Sequence, residues 1–286
     1  MFWRNIFLPV LFSIVSALAV NSLLYAWLLI SWNINLPHWS QWVIPLTVSF
    51  GLLLLFRRRL FKLIPGTEWV LMITLPVIIA ILFSPLAKSL RFNFGYVKTI
   101  PSINALKAND AAVFLEVSDW YVDRMRVIPI QTFQRPGLFS FGQVKLNSLF
   151  IVPIFSKDNA YKTHARAWLA FNYTGRISTA EFAEGQGEEF YRSSLTHFKR
   201  RNVREFRYLE AYPRGAESET FQQMARAHQY YKSGFSGIYR GQEIDRDVLS
   251  AHYFKYALFL FIVVGTPSMF VLSALLYFWP GVNKKR

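Results

Sequence analysis

The chain has no cysteine. That excludes disulfides, thiolate nucleophiles, iron–sulfur clusters and cysteine-bearing zinc sites. It is also poor in acid, with 17 Asp and Glu against 32 Lys and Arg. Charge of either sign is missing altogether from four long stretches, roughly residues 6–31, 40–56, 69–87 and 256–279. Proton relays, ion-coupled carriers and voltage sensors need ionisable groups inside the bilayer, so this absence argues against those classes. His-Glu-x-x-His, calcium-loop and Gly-x-Ser-x-Gly patterns are missing too, which removes the common signatures of metalloproteases, EF-hands and serine hydrolases.

What is present is apolar and aromatic. Hydrophobic residues make up 53% of the 286 and aromatics 17%, a balance shifted toward membrane proteins. The four uncharged stretches are read as transmembrane helices. The second, Trp39 to Phe56, is the shortest and carries Pro45 near its start; it is counted as a full crossing because the basic loop after it needs one. A cleaved signal peptide would end its apolar region after about 7–15 residues. The first stretch runs on through Leu23, Leu24, Trp27 and Leu29, so an uncleaved helix is expected. Trp3, Trp32, Trp39, Trp42, Trp69 and Trp279 stand near the ends of these stretches, where amphipathic rings anchor to an interface.

The formal net charge of +15 resolves by region. Residues 88–254 hold 23 basic and 16 acidic side chains, and the remainder 9 and 1. More than half of the excess therefore borders apolar stretches. Arg4, the group Arg57, Arg58, Arg59 and Lys62, and the tail Lys284, Lys285 and Arg286 lie on one set of flanks, while the loop Asn33–Gln41 has no Lys or Arg. The positive-inside rule then predicts cytoplasmic termini and a large domain on the far side of a bacterial inner membrane. Lys88, Arg91 and Lys255 near the opposite ends run against the pattern in smaller number. Nucleic acid is a poor partner for a domain so placed; the bilayer, a protein partner at the periplasmic face and a second copy of the chain are the expected ones.

The expected fold class is α+β, with residues 1–87 forming transmembrane helices 1–3, 88–254 an extracytoplasmic domain, and 255–286 transmembrane helix 4 with a basic tail. Within the domain, Ala112–Val117, Val127–Phe133, Val144–Phe155 and Ala165–Phe171 read as strands of an antiparallel meander. Arg135-Pro136-Gly137 and Lys157-Asp158-Asn159 read as turns. Ser178-Thr179-Ala180-Glu181 matches a capping box, a helical piece follows over Glu188–Arg201, and Glu217–Tyr231 reads as a helix with Phe221, Met224, Ala225 and His228 on one face. Arg204–Tyr212 is a further candidate strand, and residues 233–250 read as a loop.

In the apolar stretches Asn21 is the costliest side chain to leave in lipid and is expected to pack against a helix of this chain or of a partner. Ser13, Ser16, Ser22, Thr47, Ser49, Thr74, Thr266, Ser268 and Ser273 are expected to bond between helices, and Pro76, Pro85 and Pro267 to kink theirs.

The candidate partner-binding cluster is Lys199, Arg200, Arg201, Arg204 and Arg207, since clustered cations steer acidic partners. Glu184, Glu188 and Glu189 with His197 have no metal-ligand spacing, and no metal or cofactor is expected. Ser236 in Ser233-Gly234-Phe235-Ser236-Gly237 lacks the spacing of a nucleophile turn, and no catalytic residue is assigned. The reading is a polytopic protein whose domain binds a macromolecule without catalysis, as an immunity or exclusion protein or an accessory subunit of an envelope or defence complex would. The alternatives are a membrane-anchored hydrolase or transferase using His164, His197, His228 and His252, and an oligomeric channel.

Overall fold

The computed structural model describes residues 3–32, 36–37, 39–63, 68–108, 112–134, 142–157, 164–235 and 237–278, with the side chains of 4–5, 56–63 and 68–69 outside the description. In chain order the elements are helices α1 (Leu8–Trp32), α2 (Ser40–Leu63) and α3 (Glu68–Phe94); strands β1 (Val97–Ser102), β2 (Phe114–Asp119), β3 (Tyr121–Val122), β4 (Ile128–Gln134), β5 (Gln143–Phe155) and β6 (Ala167–Ser178); helices α4 (Thr179–Ala183) and α5 (Gln186–Arg200); strand β7 (Tyr208–Ala211), helix α6 (Ala216–Arg226), strand β8 (Ile238–Gln242), and helices α7 (Arg246–Leu260) and α8 (Thr266–Phe278). They fall into two compact units, one of residues 1–95 and 245–286, the other of residues 96–244.

The first unit is helical because an uncharged apolar segment in lipid satisfies its backbone only within itself. Three helices among the described residues, not the expected four, are long and apolar enough to cross a membrane: Leu8–Trp32, Val70–Phe94 and Arg246–Phe278. Among residues with described side chains the apolar part of α2 is Ser40–Leu55, roughly 24 Å at 1.5 Å per residue against a hydrocarbon core of about 30 Å; in the sequence the uncharged run goes on to Phe56. Its helix continues through the backbone of Arg57, Arg58, Arg59 and Lys62 to Leu63. The side chains of these four, and all of Trp279, Lys284, Lys285 and Arg286, lie outside the described residues.

Inside this unit Ile14, Leu75, Ile79 and Met269 are almost fully enclosed, and Tyr25, Leu29, Phe83 and Ala87 form a second cluster. Phe12, Leu23, Trp27, Phe259 and Ile262 point outward, as lipid-facing positions do. The expectation for hydroxyls is corrected: Ser13, Ser22, Thr47 and Thr74 donate to the carbonyls four residues back, Pro9, Leu18, Val43 and Val70. A hydroxyl on a helix finds that acceptor without a neighbour. Asn21 does bridge helices, donating to Ala17 O at 2.8 Å and to Ser49 Oγ on α2 at 3.3 Å.

A π-helical turn, Phe261–Gly265, joins α7 to α8. Pro267 follows at once, and widening the turn relieves the clash of its ring with the carbonyl four residues back; Thr266 Oγ1 donates to Phe261 O at 3.2 Å. Helices α3 and α7 are held together by reciprocal serine bonds, Ser89 Oγ to Ser250 O at 2.9 Å and Ser250 Oγ to Ser89 O at 3.1 Å. The Phe92 and Tyr253 rings stack next to them at 5.7 Å.

The second unit is built on a mixed sheet of order β1-β2-β7-β8-β6-β5-β3, with β4 also on β5. Only β4, β5 and β6 form the expected antiparallel meander; β1 pairs parallel to β2 and β6 parallel to β8. The segment read as a loop over 233–250 contains β8 and the start of α7. Phe150, Val152 and Ile154 of β5 and Leu169 and Phe171 of β6 face one core, covered by Phe198 of α5. Leu149, Ile151, Trp168 and Ala170 face another, covered by Phe221, Met224 and Ala225 of α6. Burial on both faces explains why β5 and β6 read as nearly continuous apolar runs. The capping box is formed: Ser178 Oγ accepts from Glu181 N and Glu181 Oε2 accepts from Ser178 N. These bonds hold the Glu181 carboxyl below its ordinary pKa.

The sheet cannot be flat. Strand β2 stands second in the order and β3 seventh, about 24 Å apart in a flat sheet at about 4.8 Å per strand. Trp120 alone separates them in sequence, a reach of only about 7 Å. The sheet therefore curls until the end of β2 meets the end of β5. There the Asp119 carboxylate accepts from the Ser156 hydroxyl, from Lys157 N at 3.2 Å and from Ser102 Oγ at 3.0 Å. Ile100, Leu115, Phe150, Leu169, Leu209 and Tyr239, contributed by six strands, share the concave core.

Candidate functional site

The structure spreads the basic cluster proposed from sequence over the end of α5 and the segment after it. Helix α5 ends at Arg200, and a short 3₁₀ turn over Val203–Glu205, capped by the Asn202 side chain, leads to β7. Lys199, Arg200, Arg204 and Arg207 are exposed. Arg201 is turned aside: its guanidinium pairs with Glu243 at 2.7 Å and lies 5.5 Å from the Phe206 ring. Among the described residues, no ion pair within 4 Å joins Lys199, Arg200 or Arg204 to a carboxylate.

A cation that the sequence reading passed over completes the arrangement. Arg124, in the 3₁₀ turn after β3, donates to Lys199 O at 2.7 Å and to Arg201 O. Those carbonyls belong to the end of α5, where helix carbonyls lack partners and the dipole is negative. Arg124 thus fixes the helix end against the turn that follows β3.

Between these pieces lies a cleft of about 700 Å³. One wall is the turn from β2 into β3, with Ser118, Trp120, Tyr121 and Val122; the other is Asn202, Val203, Arg204 and Phe206; Arg124 and Lys157 stand at its margin. Three cations and no carboxylate line it. Lys157 is exposed, as is Arg204, whereas Phe206 is buried and Trp120, Val122 and Val203 pack against the concave core. The cleft thus combines an apolar wall of Trp120, Val122, Val203 and Phe206 with three cations and the polar Ser118 and Asn202. The Asp119 carboxylate next to it is turned into the bonds that close the sheet, and the Ser156 hydroxyl above all holds its carboxyl below the usual range.

The far side of Phe206 borders a smaller cavity of about 380 Å³, where β6 and β8 part after their two paired residues. Arg240 is bound there to the buried Glu210 at 2.7 Å, and Gln242 donates to the same oxygen at 2.6 Å. Glu217 accepts from Tyr212 Oη at 2.8 Å and from Asn172 Nδ2 at 3.0 Å. Burial pushes the Tyr212 hydroxyl well above its ordinary pKa, and the bond to Glu217 adds to this. Gly241 is what lets Phe206 divide the two cavities, because a Cβ there would stand 2.0 Å from the Phe206 ring. Every charge of the smaller cavity is bound within the fold, whereas at the larger one Arg124 is spent on the α5 carbonyls and only Lys157 and Arg204 are exposed.

The histidines do not converge. His228 follows the end of α6 rather than lying on its face. Its Nε2 is 3.0 Å from Arg126 O and its Nδ1 accepts from Tyr230 N at 3.2 Å, so both nitrogens are spent on backbone. His164 lies against Phe235, and burial, with Arg166 and Lys232 adding to it, lowers its pKa. His197 is exposed on α5, and His252 belongs to the helical unit. Glu188 pairs with Arg192, and Gly185, at φ 87°, breaks the helix between Glu184 and Glu188. Among the described residues, no three His, Asp or Glu side chains are grouped as a metal site would require. Ser236 lies outside the described residues. No family model, curated protein or solved structure matches the chain.

Proposed function

We propose that this chain is a multi-pass protein of a bacterial inner membrane, crossed by α2 as well as by the three longer spans so that both termini are cytoplasmic, with a periplasmic α+β unit that recognises an acidic macromolecular partner without chemistry of its own. One observation carries the reading: Lys199 and Arg200 at the end of α5 and Arg204 in the turn after it are exposed cations, with no carboxylate of the described residues spent on them. Such a group raises the local potential and speeds association with an acidic surface. The asymmetry of basic flanks supports the orientation. Immunity or exclusion at the envelope and service as an accessory subunit are the uses that fit.

The test is capture from mildly solubilised membranes with wild type and with the triple variant Lys199→Glu, Arg200→Glu, Arg204→Glu. Arg201 is left intact because its pairing with Glu243 belongs to the fold. An acidic partner retained by wild type, lost in the variant and weakened by salt is the expected result. Equal retention by both proteins would refute the surface. A reporter fused at Asn159 should be active only on the periplasmic side.

A further inference from the structure

We infer that the cleft at the closure of the curled sheet binds an anionic amphiphile, a molecule with a carboxylate or phosphate head and one apolar tail. Its interior is aromatic and aliphatic, from Trp120, Val122, Val203 and Phe206, and continuous with the concave core. Its rim carries Lys157 and Arg204, neither paired with a carboxylate among the described residues. The volume of about 700 Å³ lies within the range of small-molecule sites, which recur in the mouths of curled and closed sheets.

Two observations favour this occupant over a peptide. Strand β3, the strand at this wall, is only two residues long, too short an edge for an added strand to pair along. The apolar wall is also backed by the core, since Trp120, Val122 and Val203 pack against it, which suits a short apolar tail better than an extended chain. A bare anion would leave the aromatic wall unused, and an uncharged lipid would leave the rim unused. A chain with three helices fit to cross a membrane works where amphiphiles are concentrated. Each methylene that the cleft removes from water should tighten binding about fourfold. The cleft shares Arg204 with the partner surface but not Lys199 or Arg200, and Lys157 belongs to the cleft alone, so a change at Lys157 distinguishes the two.

The experiment uses the full chain in phosphatidylcholine nanodiscs and an 11-carbon fatty acid bearing a terminal dansyl group, whose emission rises on entering an apolar site. Saturable binding above that of empty nanodiscs is expected. Oleate and monooleoyl phosphate should displace the probe, whereas methyl oleate and inorganic phosphate at the same concentration should not. Lys157→Glu, at an exposed position, should weaken binding by about tenfold or more, and Val203→Trp should abolish it by filling the cleft. Circular dichroism confirms that both variants are folded. Unchanged binding in folded Lys157→Glu, or a signal no greater than that of empty nanodiscs, overturns the proposal. Displacement by methyl oleate as strong as by oleate removes head-group recognition, and displacement by inorganic phosphate alone reduces the cleft to a simple anion site; either result also overturns it. Loss of probe binding with partner capture intact separates this site from the partner surface.

Discussion

Each of the two units encloses some side chains completely, but for different reasons. Ile14 in the helical unit and Phe150 in the α+β unit are both fully enclosed. Phe150 is removed from water on folding, so transfer and packing both favour its burial. A helix already in lipid gains nothing from transfer, and its association rests on fit and on the few polar contacts between helices. Fractional burial therefore measures different energies in the two halves of one chain.

The sharpest test of that contrast is truncation. Phe150 stacks on Phe198 at 5.1 Å and meets Tyr173 and Tyr191. Phe150→Ala should cost the α+β unit about 3–5 kcal/mol, seen as early unfolding of that unit in denaturant while the helical signal persists. Ile14→Ala should cost clearly less, because only the cavity part of the penalty remains. Equal costs would break the distinction.

Buried polar groups come next. Glu210 is 1% exposed and is held by Arg240 and Gln242. Glu210→Ala should lower stability by about 2 kcal/mol; Arg240, itself 42% exposed, can recover water, which keeps the loss below that of a fully enclosed pair.

Asp119 closes the sheet, and its folded pKa lies below its unfolded one, mainly through Ser156. Its contribution is therefore complete above the ordinary carboxylate value of about 3.9 and is lost as the pH falls through the depressed folded value. Asp119→Asn should cost about 1 kcal/mol near neutrality. It should also flatten the fall of the melting temperature below about pH 4. A variant with the wild-type acid slope would show that the closure contributes nothing to pH dependence.

What could be read in the sequence follows the same division. Spans announce themselves by missing charge, a property of each segment alone, so Leu8–Trp32 and Val70–Phe94 were visible; α2 is the least distinct, because its described apolar part, Ser40–Leu55, is the shortest. In the α+β unit β5 and β6 were visible as apolar runs. Strand β1 was hidden by Lys98 and Pro101, which suit an edge, and β8 by Gly241, which is small to admit Phe206. Parallel pairing and curling are long-range and leave no local pattern. The cleft was illegible for that reason: Trp120, Lys157 and Val203 come from three separate segments. The charges of Lys199–Arg207 were plain as a run, but Arg201 turning from Arg204 was not, since it depends on Glu243 reaching across from the end of β8.

The smallest effect is expected where sequence logic alone would place a large one. Asn21 is fully buried and bonds Ala17 O and Ser49 Oγ, yet its own Oδ1 is buried without a partner. In water-soluble cores such a residue would be costly to lose. Between membrane helices a polar contact averages only about 0.6 kcal/mol, because the separated helices also find partners for their polar groups. Asn21→Leu keeps the same branched side-chain shape, with bulkier methyl ends, and removes the unpaired oxygen along with the two bonds. Its stability, measured by unfolding from nanodiscs or mixed micelles, should stay within about 0.6 kcal/mol of wild type. A loss above about 2 kcal/mol would mean that Asn21 and Ser49 hold α1 to α2 as firmly as Glu210 holds Arg240, and the proposed difference between the two interiors would fail at its most sensitive point.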